Sequence, residues 1–169
     1  MPSLFQIVAN TPLWVWPLMV FVVWIGVLSL RARTVPVWRL AILPVVSLIF
    51  SLAGIAQSAQ PGLAAAGWAV ALLAALPLGL ALGRRRAVRF LADGRLEIAG
   101  GWFMLAFGLS IFAARYALGV LFGVAPALKA EPLWIGLAGA VGGVVAGIGL
   151  GWLAGVILRA RRAAVALGE

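Results

Sequence analysis

Hydrophobic positions along the chain fall into five long runs, separated by short stretches that hold the charges and most of the turn residues. The runs cover residues 12–30, 40–56, 63–82, 102–122 and 133–158. A helix rises about 1.5 Å per residue, so about 20 apolar residues cross a hydrocarbon core of about 30 Å. The pattern predicts an all-α integral membrane protein, a bundle of five transmembrane helices that forms a single membrane domain over residues 1–169.

Residues 88–98 depart from this pattern because apolar and polar positions alternate there, as they do in a β-hairpin. A bulged turn over residues 92–94, with Gly94 left-handed, fits the Asp-Gly pair in the middle of the segment. This turn predicts three cross-strand pairs: Val88 with Ile98, Arg89 with Glu97, and Phe90 with Leu96. We expect the apolar face to rest on the membrane surface or on the end of the bundle, since a lone hairpin is marginal in water.

Arginines concentrate between alternate runs, and this distribution predicts how the chain is threaded. They include Arg31, Arg33, Arg84, Arg85, Arg86, Arg159, Arg161 and Arg162. With five crossings these positions share one side of the membrane, which the positive-inside rule assigns to the cytoplasm. The N-terminus is then outside, whereas the hairpin and the C-terminus are cytoplasmic. We expect these arginines to contact anionic headgroups; the alternative is a regulatory polybasic patch.

Composition agrees with a membrane location and limits the kinds of functional site that we expect. The chain is 65% hydrophobic and 10% charged, against about 45–50% and about 25% in soluble domains. The net charge of +9 follows from the threading, so no nucleic-acid partner is needed. Cysteine and histidine are absent, and none of the four acids lies inside an apolar run. We therefore expect no metal site, no cofactor, no proton relay and no enzymatic activity.

The last run carries glycine at every fourth position, which places these residues on one helical face. This glycine ladder consists of Gly139, Gly143, Gly147, Gly151 and Gly155. Such faces let a second helix approach closely within a bilayer. One interpretation is packing within the chain against the alanine-rich third run. The other is an interface with a second copy or with a partner membrane protein, or even the lining of a pore, although the first, third and fifth runs offer almost no polar lining. Gly119 and Gly123 form a further pair with the same spacing.

Arg115 is the charged residue that lies within an apolar run, and Tyr116 follows it. The spacing from Trp102 places Arg115 about 20 Å from the cytoplasmic end of the span, so about 10 Å from the outer end. One interpretation is that the side chain extends to the outer headgroups, with Tyr116 at the interface. The other is a binding site for an amphipathic anion or a lipid headgroup.

Two stretches, residues 11–16 and 101–120, resemble a proteobacterial family of small multi-span inner-membrane proteins of unknown function. That family tends to carry Gly-Ser-Trp at the start of the fourth span and a basic-Tyr pair further on. Arg115 and Tyr116 fit the second feature, whereas Gly100, Gly101 and Trp102 depart from the first. The resemblance implies a bacterial inner membrane and says nothing about activity.

Together these features predict a non-enzymatic interaction or accessory protein of the inner membrane that is packed on the glycine ladder. The alternative is a binder or carrier of an amphipathic anion at Arg115. We expect a bilayer with anionic lipids as the surroundings. The oligomeric state stays open.

Overall fold

The computed structural model describes residues 12–13, 15–85, 88–91 and 95–166. These residues are mostly helical, as the sequence predicts. They divide into two compact units. The first unit is drawn from Met1–Arg31 and Gly100–Pro126, and the second from Ala32–Ala99 and Ala127–Glu169.

The described chain contains five α-helices, one short 3₁₀-helix and three strands. The helices are α1 (Val15–Leu28), α2 (Val37–Ala56), α3 (Pro61–Arg84), α4 (Phe103–Val124) and α5 (Pro132–Ala166), and the 3₁₀-helix is Pro126–Ala130. The strands are β1 (Arg33–Pro36), β2 (Val88–Phe90) and β3 (Arg95–Ile98). Helices α3 and α5 begin at proline, which is suited to a first helical position because its missing N–H has no partner there.

Four described helices are long and apolar enough to cross a membrane, by length and composition. They correspond to the second to fifth predicted spans. The helix in the first predicted span, α1, has 14 residues, or about 21 Å at 1.5 Å per residue. The Val15 N–H donates to the Pro12 carbonyl oxygen at 3.0 Å in a turn that precedes the helix. The described helix therefore begins three residues after the start of the first apolar run, and the count of five spans stays a prediction.

The end of the last helix also differs from the prediction. Helix α5 has 35 residues, whereas the predicted span ends at residue 158. Arginine interrupts a hydrophobic run but is among the better helix formers. The sequence beyond Leu158 holds arginine, alanine and valine without glycine or proline until residue 168, so the helix continues past the apolar segment.

The strands form one antiparallel sheet in the order β1-β3-β2. The predicted pairs Val88–Ile98, Arg89–Glu97 and Phe90–Leu96 are confirmed, whereas the turn that joins them lies outside the described residues. Strand β1 was not predicted and pairs with the other edge of β3. Leu96 is 0% exposed, and β2 packs against α5. The hairpin therefore packs against α5 through β2, and the placement of its whole apolar face stays a prediction.

In the first unit, α1 packs against α4. A Cβ added at Gly26 would overlap Leu105, and one added at Gly108 would lie 3.2 Å from Cγ1 of Val22. The Gly101 N–H donates to the Ser29 carbonyl oxygen at 3.0 Å, which joins the end of α1 to the segment that precedes α4. The two helices are therefore antiparallel, with side chains in their interface.

In the second unit, α2 packs against both α5 and α3. Pro44 lies against Gly149, because a Cβ added at Gly149 would be 3.6 Å from the Cβ of Pro44. Trp68 Nε1 donates to Ser51 Oγ at 3.2 Å, and this Oγ donates to the Leu48 carbonyl oxygen at 2.9 Å. A polar contact thus links α2 to α3 within their apolar segments.

Candidate functional site

The glycine ladder lies against the backbone of α3. At each ladder position an added Cβ would overlap a carbonyl oxygen of α3. The pairs share one register: Gly139 with Ala64, Gly143 with Trp68, Gly147 with Leu72, Gly151 with Leu76, and Gly155 with Leu80. At Gly147, for example, the added Cβ would lie 2.5 Å from the Leu72 oxygen. Any side chain at these positions would therefore separate the two helices.

The contact is reciprocal, because glycines of α3 lie against the backbone of α5. A Cβ added at Gly67, Gly79 or Gly83 would overlap a carbonyl oxygen of α5. Partner positions rise together along both helices, so α3 and α5 are parallel. This arrangement brings Cα–H groups close to carbonyl oxygens, a contact worth about 0.5–1 kcal/mol each. Without side chains between them, the two helices pack closely along five successive turns.

Gly119 and Gly123 have the same spacing in a different environment. Within the part of the chain that the structure describes, a Cβ added at either position would meet no atom within 4 Å. Both residues are exposed on α4. The structure therefore gives this pair no packing partner among the described residues.

Arg115 and Tyr116 lie on α4, in the first unit. Arg115 is exposed, and Tyr116 is partly buried. The Tyr116 ring stacks on Phe112, with ring centroids 6.0 Å apart and an interplanar angle of 6°. An exposed arginine suits extension towards headgroups, and anion binding at Arg115 stays a prediction.

The basic segments of the second unit meet at one end. Strand β1, which leads into α2, pairs with β3, which follows the end of α3. Arg159 Nη1 of α5 donates to the carbonyl oxygen of Arg84, the last residue of α3, at 3.2 Å. Three segments far apart in sequence are thus adjacent. We call this the basic end; its predicted arginines are Arg33, Arg84, Arg85, Arg159, Arg161 and Arg162.

Three predicted arginines have no described side chain. Arg86 lies outside the described residues, and so do the side chains of Arg33 and Arg161. Arg31 belongs to the first unit, follows α1 and is exposed. Sequence reasoning placed all of these arginines on one side but gave no contact between them.

The basic end contains a half-open cavity, lined by exposed residues, that the sequence did not predict. Its volume is about 260 Å³, and its described lining consists of Arg84, Leu158, Arg159 and Arg162. Arg84 ends α3, and the other three residues form one turn of α5. The sequence held one signal for this cavity, the arginines at residues 159 and 162. Residues three apart lie on one helix face.

The described residues hold no group of three or more His, Cys, Asp or Glu side chains that could bind a metal ion. The candidate sites in the described part of the chain are the basic end and Arg115. Comparisons with known protein families, curated proteins and solved structures found no match to this chain.

Proposed function

We propose that this chain is an integral protein of the bacterial inner membrane that acts as an accessory or interaction protein, without enzymatic activity. In this proposal the α3–α5 pair is a rigid core, and the basic end faces the cytoplasm. The N-terminus is outside, and the helices cross the bilayer five times. The resemblance noted from residues 11–16 and 101–120 fits the same location.

The basic end is the observation that supports this proposal most directly. Arg84, Arg159 and Arg162 meet at one end of the second unit, an arrangement suited to contact with cytoplasmic headgroups. The helices beside it keep large apolar side chains outside: Phe50 of α2 is 71% exposed and Val70 of α3 is 70% exposed. Side chains of this kind are suited to lipid or to a partner helix.

Orientation can be tested with single cysteines, because the natural chain has none. Cysteine would replace the exposed Arg85 at the basic end or the exposed Glu131 just before α5. In intact spheroplasts a membrane-impermeant maleimide should label the Glu131→Cys variant alone. Permeabilised cells, in which both variants should react, serve as the control. Labelling of Arg85→Cys in intact spheroplasts would contradict the proposed orientation.

The accessory role can be tested by photo-crosslinking from exposed apolar positions in native membranes. A benzoylphenylalanine at Phe50, Val70 or Gly119 should give a discrete protein adduct at one position only, because a specific partner covers one face. Mass spectrometry then distinguishes a second copy of this chain from another membrane protein. Adducts with lipid alone at all three positions would contradict an interaction role within the membrane.

The alternative function, an amphipathic-anion binder at Arg115, has a separate test. Native mass spectrometry of the gently extracted protein would compare the natural chain with an Arg115→Leu variant. A retained anion that the variant loses would establish this site. Identical spectra would leave Arg115 as a residue that extends to the headgroups.

A further inference from the structure

The cavity at the basic end concentrates positive charge in a small volume. Arg84, Arg159 and Arg162 all line it, and they come from two different helices. Its described lining contains no carboxylate. Three arginines therefore line one recess, and their charge favours an anionic ligand.

Repulsion between these arginines favours an anion. Arg159 and Arg162 are three residues apart on α5 and share a helix face, where like charges destabilise a helix. Arg159 also donates from Nη1 to the Arg84 carbonyl oxygen at 3.2 Å, which holds its guanidinium at the end of α3. A guanidinium has five N–H donors, so this bond leaves donors for a ligand.

Guanidinium chemistry and the size of the cavity indicate a phosphate group. The planar fork of arginine matches the oxygens of a phosphate and can donate two parallel hydrogen bonds. The cavity volume of about 260 Å³ is below the roughly 300–1,000 Å³ of pockets that enclose whole small molecules. It is suited to a charged group whose remaining atoms lie outside the cavity.

The position of the cavity along the helices identifies a source of phosphate. The apolar segment of α3 ends at Arg84, and that of α5 ends at Ala160. The cavity therefore lies where apolar helix gives way to charged residues, which is the level of the headgroups in a bilayer. Leu158 adds an apolar side chain to the wall, suited to the glycerol region of a lipid. Basic pockets between helices on the cytoplasmic side are known to bind anionic headgroups.

We propose that this cavity binds a phosphate group through Arg84, Arg159 and Arg162, and that an anionic phospholipid supplies it. The ligand bridges α3 and α5 at the end where the glycine ladder stops, and it compensates the charge of the three arginines. The inference rests on the proposed membrane location only for the source of the phosphate. The phosphate site itself rests on the cavity and its arginines.

Native mass spectrometry of the delipidated full chain tests the proposal with three probes: phosphatidylglycerol, phosphatidylcholine and inorganic phosphate. The key variant is Arg162→Gln, because Arg162 has no described hydrogen bond to α3 that the change would break. Arg159→Gln is the second variant. Arg31→Gln is the matched control, since it removes the same charge from an exposed position outside the described cavity lining. The thermal unfolding midpoint of each variant shows whether it is folded.

We expect the natural chain to bind one phosphatidylglycerol with a Kd that is at least about tenfold higher in Arg162→Gln and Arg159→Gln. Loss of one charge-assisted hydrogen bond corresponds to an effect of this size. Arg31→Gln should stay within about twofold, and phosphatidylcholine should bind more weakly because its choline offsets the phosphate charge. Equal Kd values in Arg162→Gln and Arg31→Gln for both phosphatidylglycerol and inorganic phosphate would overturn the proposal.

The inorganic phosphate arm separates the two sources. Binding of phosphatidylglycerol that millimolar phosphate does not displace supports a lipid ligand. Binding of inorganic phosphate alone, with the same dependence on Arg162, supports the phosphate site but contradicts the lipid source. Neither that second outcome nor binding that is independent of Arg162 bears on the membrane location, which the maleimide labelling tests separately.

Discussion

The α3–α5 and α1–α4 interfaces both use glycine, but they use it in different ways. Between α3 and α5 every ladder glycine lies against a backbone carbonyl, as Gly147 lies against Leu72. Between α1 and α4, Gly108 lies against a side chain, that of Val22. Further along α4, Gly119 has the same four-residue spacing to Gly123 but meets no described atom. Spacing alone therefore does not determine packing.

The difference depends on the partner helix. Helix α3 has small residues along the face that meets the ladder, including Ala64, Ala75, Gly79 and Gly83. With small residues on both sides, the backbones themselves come into contact. An obstacle made of backbone cannot rotate away, whereas a side chain can change its rotamer. Substitutions in the two interfaces should therefore differ in how much unfolding free energy they cost. They should also differ in whether a second substitution restores stability.

The largest effect is expected for Gly147→Leu. Its side chain would overlap the Leu72 carbonyl oxygen and approach the Ala75 Cβ, which lies 3.1 Å from an added Cβ. Because the helices must separate over several turns, the loss should exceed the roughly 1–3 kcal/mol of ordinary overpacking. Unfolding by sodium dodecyl sulfate in mixed micelles, followed by circular dichroism, measures this free energy. The matched control Gly119→Leu should cause no loss, because its Cβ lies in open space and leucine gains up to about 1 kcal/mol of helix propensity over glycine; equal losses would contradict the comparison.

Alanine at the same two positions should give effects of opposite sign. Gly147→Ala adds only the Cβ that overlaps the Leu72 oxygen, so we expect a loss of about 1–3 kcal/mol. Gly119→Ala adds a Cβ in open space and gains helix propensity, up to about 1 kcal/mol. The same denaturation assay measures both. A gain in stability for Gly147→Ala would show that the ladder is not in backbone contact.

The interface between α1 and α4 should tolerate alanine better and allow rescue. A Cβ at Gly108 would be 3.2 Å from Cγ1 of Val22, so Gly108→Ala should cost less than about 1 kcal/mol. Removal of the opposing methyl groups in the double variant Gly108→Ala/Val22→Ala should show favourable coupling. No opposing side-chain deletion should rescue Gly147→Ala, since its obstacle is backbone. Additive free energies in the Gly108 cycle would argue against side-chain contact there.

The smallest effect is expected at the hydrogen bond between α2 and α3. Trp68→Phe removes the donor to Ser51 Oγ while keeping an aromatic ring. Interhelical hydrogen bonds in membranes average about 0.6 kcal/mol, so the loss should be near that value. A double-mutant cycle with Ser51→Ala separates this bond from changes in packing. Zero coupling would mean that the bond does not contribute to stability.

Local pattern was enough to predict part of this fold. The register of β2 and β3 followed from pairing Phe90 with Leu96, because a one-residue slip would move every apolar side chain to the other face. Strand β1 was missed because Thr34, Val35 and Pro36 are too few for an alternating pattern, and proline is uncommon inside strands. Its pairing with β3 depends on a segment far away in sequence.

Long-range geometry at the candidate site could not be predicted in the same way. The ladder indicated close packing, but not the register with α3, which depends on small residues along a separate helix. Likewise, the charges of Arg84 and Arg159 predicted a shared side of the membrane. Their meeting in one cavity depends also on the direct contact between α3 and α5 and on its register, which no local pattern encodes.

The central claim is that the glycine ladder packs in parallel on α3 of the same chain. The distance between spin labels on α3 and α5 tests this claim most directly. Leu63 and Leu137 are both exposed and lie at nearly the same level in the observed register. With the double variant Leu63→Cys/Leu137→Cys in lipid bilayers, diluted with unlabelled chain, double electron–electron resonance should give a distance below about 20 Å, since packed helix axes are about 8–10 Å apart. Labels at residues 63 and 158 should be about 30 Å apart along the helices. A short distance that disappears on dilution, or the reverse order of the two distances, would contradict the account.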